Sequence, residues 1–541
     1  MQELLLKIKK IYAEMPAFSI SPLEWVLSFF SIIALREFIE GFLAAKAGSF
    51  EDLAVDYFQN VYFALISLLL MWIFTSLFLK INPLKAVLLF TLGIWLMLLP
   101  PILDIIKTGG EVFWSFYMIG DLAYLKLQFF SFLNHFPSGI IYFGSKIVII
   151  VSMLAISSFI YFKTKNIFKT IFGGFFTYCL LFFMGSFPSW VTFGYYSLEG
   201  SKKITDVGSF DVIQFMGIPT RFFGFSFDNM KYALAHNLNL IYFLLTILLI
   251  TWLFFLTNKN YLIALLKNAR LPQIIYHSGL FFIGLGLGYI VYPNNFNLGP
   301  FQFLAILVLL IGIYLAWMAS VVINDLYDYK IDLISNTTRP LQQTIINNRL
   351  YLEFGVIMFL LSVISGLMLS AKFAGLFIIY QIIAFIYSAP PFRLKRFPII
   401  ATFFSALASI VIILIGFTLF SGDRNIQDLP WRIILLFLIS FTLSLPIKDF
   451  KDIAGDSADS VWTIPVIFGE KTGRMIIAIS VFTSFMLSIF LLSAFSLFWW
   501  ALIFGSFSFL TILTRKPREL FWYILVLTFF YGLILVKTLF L

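Results

Sequence analysis

Charge, histidine and cysteine are scarce in this chain of 541 residues. Charged side chains make up 12% of it, there are three histidines, and Cys179 is the single cysteine. One cysteine excludes an internal disulfide framework and a cysteine-based metal site. Soluble domains carry about 25% charged and about 45–50% apolar residues. Here the apolar share is 61% and the mean hydropathy is +0.97. Long polar linkers are missing as well, because apolar runs follow one another from Leu23 to Leu541. A soluble enzyme, a fibrous protein and a disordered tail are thereby excluded. The composition is that of an all-α polytopic membrane protein. The net charge of +10 comes from Lys and Arg placed in short loops between apolar runs. That is the pattern of membrane orientation, so no nucleic-acid partner is expected.

The N-terminus, MQELLLKIKKIYAEMP, is too charged to form the apolar core of a cleavable signal. In the first half, apolar runs predict spans near 23–45, 61–79, 86–106, 139–162, 170–193 and 239–257. Between them, residues 107–138 are aromatic but carry Glu111, Asp121 and Lys126, which suits an interfacial or re-entrant helix. The second half predicts nine spans, near 274–294, 300–323, 351–371, 373–389, 398–419, 431–447, 475–494, 498–513 and 519–540. Its loops at 258–273, 324–350, 390–398, 448–474 and 514–518 hold 16 Lys and Arg, against Lys372, Arg424 and Arg432 on the other side. The basic side is expected to be cytoplasmic. No repeat relates the halves, so two modules are expected, 1–270 and 271–541, the first with about six transmembrane helices.

The acidic residues are unevenly spread. Of 16 aspartates, seven fall in two short windows. One reads Asn324-Asp325-Leu-Tyr-Asp328-Tyr-Lys-Ile-Asp332, the other Lys448-Asp449-Phe-Lys-Asp452-Ile-Ala-Gly-Asp456-Ser-Ala-Asp459. On a helix, Asn324, Asp328 and Asp332 share a face, and so do Asp449, Asp452 and Asp456. Both windows directly follow apolar spans, at the same depth on the same side. Solvated helix ends would account for either window alone. Two matched carboxylate rows repel each other unless cations hold them, and oxygen ligands suit Mg²⁺. No Cys or His lies near, which argues against zinc. Basic residues gather around the same place: Arg339, then Arg393, Lys395 and Arg396 in YSAPPFRLKR, then Lys448 and Lys451. Mg²⁺ with converging Arg and Lys is what a diphosphate leaving group requires.

These motifs carry a resemblance. NDLYDYKID followed by TRPL, then YSAPPFRLKR, then KDFKDIAGD followed by TIPVIFGEKTGR, is similar to the UbiA superfamily of intramembrane prenyltransferases. It covers about 274–541. It implies a nine-helix bundle with a central cavity open sideways to lipid. It implies Mg²⁺ and the diphosphate of a polyprenyl donor at Asn324, Asp328, Asp332, Asp452 and Asp456, with Asp449 belonging to the K-D-x-x-D form. Arg339, Arg393 and Lys395, with Lys448 beside the second motif, would grip the diphosphate. Tyr327 and Tyr387, and by position Tyr329 and Tyr380, are candidates for stabilising a developing allylic cation.

The resemblance implies transfer of the polyprenyl group to an aromatic or glycerol-ether acceptor, and the sequence departs from the pattern where acceptors differ. Leu-Gln-Gln-Thr follows Arg339-Pro340, and Ser-Ala-Asp-Ser-Val-Trp follows Asp456. Phosphoribosyl transfer to a polyprenyl phosphate is the alternative within the family. A cation-coupled transporter is the alternative outside it, although the acids lie at helix ends and no inverted repeat appears. A prokaryotic plasma membrane is the expected location. In the first module, Arg36 and Glu40 are spaced to pair on one helix face. His135, His236 and His277 are expected as isolated polar surface or interface residues.

Overall fold

The computed structural model describes the chain apart from residues 1–18, 44–49, 109–116, 133–142, 218–229, 296–297, 422–424, 452, 459–460 and 541. Among the described residues the regular structure is helical, with no strand. Among the described residues fourteen helices are long and apolar enough to cross a membrane, and the chain is an integral membrane protein. It divides into two compact units, one built from residues up to Leu262 and the other from Ile263 onward.

The first unit contains α1 (Pro22–Leu43), α2 (Phe50–Leu79), α3 (Val87–Trp95), α4 (Leu99–Thr108) and α5 (Leu122–Ser131). It continues through α6 (Phe143–Thr164), α7 (Ile167–Gly185), α8 (Phe187–Glu199), α9 (Ser209–Met216) and α10 (Met230–Thr257). Five spans meet the length and composition of a membrane crossing here. The expected first span forms as α1 but is not among them, because Glu24, Arg36, Glu37 and Glu40 interrupt its apolar character. As expected, Arg36 pairs with Glu40 at 3.0 Å, and also with Glu37. The run read as one span over 170–193 is two helices, broken at Ser186. α5, at ten residues, is too short to cross. The irregular segment before it is buried: Tyr117 bonds Tyr242 at 3.0 Å, and the Met118 amide donates to the Gly185 carbonyl. Glu111 and His135 lie outside the described residues. His236, expected at a surface or interface, is buried. α2 and α10 run parallel, tied by Asn239 to the Val55 carbonyl and by Asn82 to the Thr257 carbonyl.

After α11 (Lys259–Lys267) come α12 (Leu271–Val291), α13 (Pro300–Tyr327), α14 (Tyr329–Ser335), α15 (Asn348–Leu367) and α16 (Ala371–Ser388). Then follow α17 (Ile400–Thr418), α18 (Trp431–Ser444), α19 (Ile453–Ala458), α20 (Ile464–Leu491), α21 (Phe498–Thr514) and α22 (Pro517–Phe540). Nine spans among the described residues of this unit qualify as membrane crossings. α12 packs on α17 with backbones nearly touching: a Cβ on Gly284 would lie 2.0 Å from the Ile413 oxygen, and one on Gly416 2.1 Å from the Phe281 oxygen. Without side chains at these two positions the helices approach as membrane helices often do. α20 is interrupted at Gly469, whose φ of 78° only glycine adopts without strain.

Candidate functional site

α13 carries the first acidic window out of the apolar layer. Asn324, Asp328 and Asp332 line a cavity of about 1300 Å³ in the second unit. The short helices α14 and α19 pack together, and this brings the two windows side by side. Asp449 and Asp456 line the same cavity from the second window, with Lys448 and Lys451. Asp452 lies outside the described residues. The basic loop reaches in through Lys395, and the Trp462 amide donates to the Arg396 carbonyl, tying that loop to the chain after the second window. Beyond this polar end the lining is largely apolar, with Leu280, Phe437 and Phe529 among its residues.

Each described carboxylate of the first window has a cationic partner. Asp328 accepts from Lys395, and from Arg393 at 3.3 Å. Asp332 accepts from Arg339, and from Asn336 at 3.0 Å. Burial lifts the Asp332 carboxyl to about 6, against the opposing pull of Arg339 and Asn336. Burial also lowers the Lys395 ammonium from its ordinary value, an effect that the Asp328 charge opposes. Arg393 turns into the site from a left-handed conformation, φ 42°. The Asn324 side-chain oxygen accepts from Ser388 at 3.3 Å, and Lys448 lies 3.4 Å from the Tyr387 hydroxyl.

Asp325 plays a part its neighbours do not. It is 1% exposed, and both oxygens are saturated by protein donors. One accepts from Arg270 at 2.6 Å and Arg339 at 2.9 Å, the other from Asn268 at 2.8 Å and Tyr351 at 2.9 Å. One residue on from Asn324 turns it about 100° round the helix, away from the cavity. Arg339 thus bridges Asp325 and Asp332, and the buried carboxylate fixes where that guanidinium sits.

Tyr387 lines the cavity, whereas Tyr327 does not and is 45% exposed. A turn of about 100° from Asp328 carries Tyr327 off the site's face. His277, expected at a surface or interface, is 8% exposed and lines the cavity with Gln273, Tyr276, Trp317 and Tyr380. Isolation in sequence hid it, since its partners come from α13 and α16.

The donor set suits Mg²⁺. Asn324, Asp328, Asp332, Asp449 and Asp456 offer only oxygen, at the wall of a chamber with room for further oxygen ligands. No trio of His, Cys, Asp or Glu among the described residues is gathered closely enough to hold a metal by itself.

The architecture and site define an all-α membrane protein whose acidic and basic side chains meet at one end of an apolar chamber. Residues 280–524 match the model of the UbiA prenyltransferase family. A digeranylgeranylglyceryl phosphate synthase of Methanosphaera stadtmanae is 33% identical over 169 residues, 31% of this chain and 59% of that protein. A synthase of the same name from Sulfolobus acidocaldarius is 29% identical over 205 residues, 37% of this chain and 70% of that one. The chain therefore spans somewhat over half the length of the Methanosphaera protein. A solved UbiA homologue from Archaeoglobus fulgidus, bound to GPP and Mg²⁺, aligns with 51% of this chain and 99% of its own. Its sequence is 19% identical and the TM-score is 0.41.

Proposed function

We propose that the C-terminal half, 271–541, transfers a polyprenyl group from an allylic polyprenyl diphosphate to a hydroxyl of a glycerol-ether lipid, in a Mg²⁺-dependent reaction. The 1–270 module is a separate unit with another role. The observation that carries this reading is the cavity itself: one chamber of about 1300 Å³ with carboxylates, Lys and Arg at one end and an apolar lining beyond. That gradient suits a molecule with a diphosphate head and a hydrocarbon tail. The names of the synthases reported above favour a glycerol-ether acceptor over an aromatic one.

Asn324, Asp328, Asp332, Asp449 and Asp456, joined by Asp452, would hold the cation. When bound, Mg²⁺ would supply neutralisation of the charge that develops on the diphosphate. Arg339, Arg393 and Lys395 add fixed positive charge there, so that the allylic C–O bond ionises with little reorganisation. Asp328 and Asp332 aim those cations before substrate arrives. Lys448 extends the positive wall, its ammonium held over the Tyr387 ring 5.4 Å from the centroid. The apolar lining excludes water that would otherwise capture the allylic cation. The motifs face the cytoplasm of a prokaryotic plasma membrane in this reading, as the basic loops of the second half suggest.

The test is incubation of the full-length protein with radiolabelled geranylgeranyl diphosphate, Mg²⁺ and an acceptor panel. The panel holds geranylgeranylglyceryl phosphate, hydroxybenzoate, homogentisate and dihydroxynaphthoate. Labelled ether lipid that disappears with EDTA is the expected result. Label on an aromatic acceptor alone would overturn the glycerol-ether assignment, and no labelled product on any acceptor would overturn prenyl transfer.

A further inference from the structure

The polar end of the cavity accounts for departure of the diphosphate, but a hydroxyl acceptor must also lose a proton. Deeper along the cavity wall lies a neutral base whose orientation the structure specifies. Gln273, Tyr276 and His277 lie on one face of α12 and line the chamber. The His277 Nδ1 is 2.6 Å from the Gln273 main-chain carbonyl oxygen. A carbonyl only accepts, so Nδ1 carries the proton and Nε2 keeps its lone pair. Nε2 is 3.1 Å from the Tyr380 hydroxyl, which therefore donates to it. The indole of Trp317, with its centroid 4.8 Å away, fixes the imidazole from the side.

Two further observations describe the wall around this pair. The side-chain oxygen of Gln273 is buried and has no hydrogen-bond partner, so it is an acceptor awaiting a donor. The carboxylates lining the cavity, Asp328, Asp332, Asp449 and Asp456, all belong to the two windows. Trp317 precedes Asn324 by seven residues on α13, about two turns deeper. At that depth, His277 and Tyr380 are a base and a proton carrier beyond the reach of the acidic windows.

We infer that the His277–Tyr380 pair accepts the proton of the acceptor hydroxyl, making these two residues catalytic in a transfer to an alcohol. The inference rests on the prenyl-transfer reading above. The acceptor oxygen forms a bond to C1 of the prenyl group while the C1–O bond to diphosphate breaks, its electron pair leaving with the diphosphate. The hydroxyl proton passes to the Tyr380 oxygen as the Tyr380 proton passes to His277 Nε2. The products are an ether, diphosphate and an imidazolium, which returns its proton to solvent by the same pair after product leaves.

The experiment uses the full-length protein with labelled geranylgeranyl diphosphate, Mg²⁺ and geranylgeranylglyceryl phosphate, and follows ether formation and diphosphate release separately. His277→Ala, His277→Gln and Tyr380→Phe are expected to lose roughly 100-fold or more in ether formation, the size of a general-base contribution. Mg²⁺-dependent release of diphosphate from the donor is expected to persist, with the label recovered as prenyl alcohol. Added imidazole is expected to restore part of the transfer to His277→Ala. Transfer within threefold of wild type in both His277→Gln and Tyr380→Phe would overturn the inference. So would a parallel loss of transfer and diphosphate release without imidazole rescue, which marks a structural role. A wild-type protein that performs neither reaction would overturn the transfer reading itself, and this inference with it.

Discussion

Both units bury charged side chains among apolar helices, yet the arrangements differ. In the first, Arg36 pairs with Glu37 and Glu40, and Asn60 donates to Glu37 at 2.8 Å. In the second, Arg339 bridges Asp325 and Asp332 at the wall of a chamber of about 1300 Å³. The first cluster pairs charges along α1, and Asn60 ties it to α2. The second holds cations and carboxylates against open volume, where an incoming charge can compete for them. Buried polarity in a membrane protein therefore reads as a site when it faces room for a ligand, and otherwise as a means of joining helices.

The largest expected effect comes from breaking that distinction on the side of the chamber. Asp328→Ala should lower Mg²⁺-dependent transfer at least about 100-fold, since it removes a carboxylate proposed to hold the cation and frees Lys395 and Arg393 from their partner. Arg36→Met in the first unit should leave turnover within twofold; a loss as large as that of Asp328→Ala would erase the contrast. Next comes Asp325→Ala, which leaves Arg270 and Arg339 without their buried partner. It should cost about 3–5 kcal/mol in unfolding measurements, with weaker diphosphate binding as Arg339 loses its position.

A smaller effect follows from pH. With Asp332 lifted to about 6, lowering the pH through that value protonates a carboxylate proposed to hold the cation. The Mg²⁺ concentration for half-maximal activity should be flat above pH 7 and rise by up to about tenfold per unit below 6. A flat dependence down to pH 5 would remove Asp332 from the cation site. Smallest is Tyr242→Phe in the first unit, which deletes the hydrogen bond to Tyr117. It should cost about 1 kcal/mol of stability, with transfer unchanged.

Much of this was legible in the residue pattern. The nine candidate spans among the described residues of the second half follow from apolar run length, which the bilayer imposes directly. The windows were legible because aspartate is rare here and its spacing matches a helix face. Asp325 was not, because the same spacing that puts Asn324 and Asp328 together turns Asp325 toward Arg270 and Tyr351, partners distant in sequence. His277 was missed for the same reason, being defined by Tyr380, 103 residues away. In the first half, hydropathy counted α1 as a crossing despite its four charges, and it ran α7 into α8 across Ser186. Apolar content measures burial, and it does not register a break made by a buried loop.

The most direct test of the central claim is equilibrium binding of a non-ionising thiolo analogue of geranylgeranyl diphosphate to the full-length protein. Wild type and Arg36→Met should bind it only with Mg²⁺ present, and Asp328→Ala should lose that binding. Binding that survives both EDTA and Asp328→Ala would contradict the assignment of the chamber's charged end as the diphosphate site.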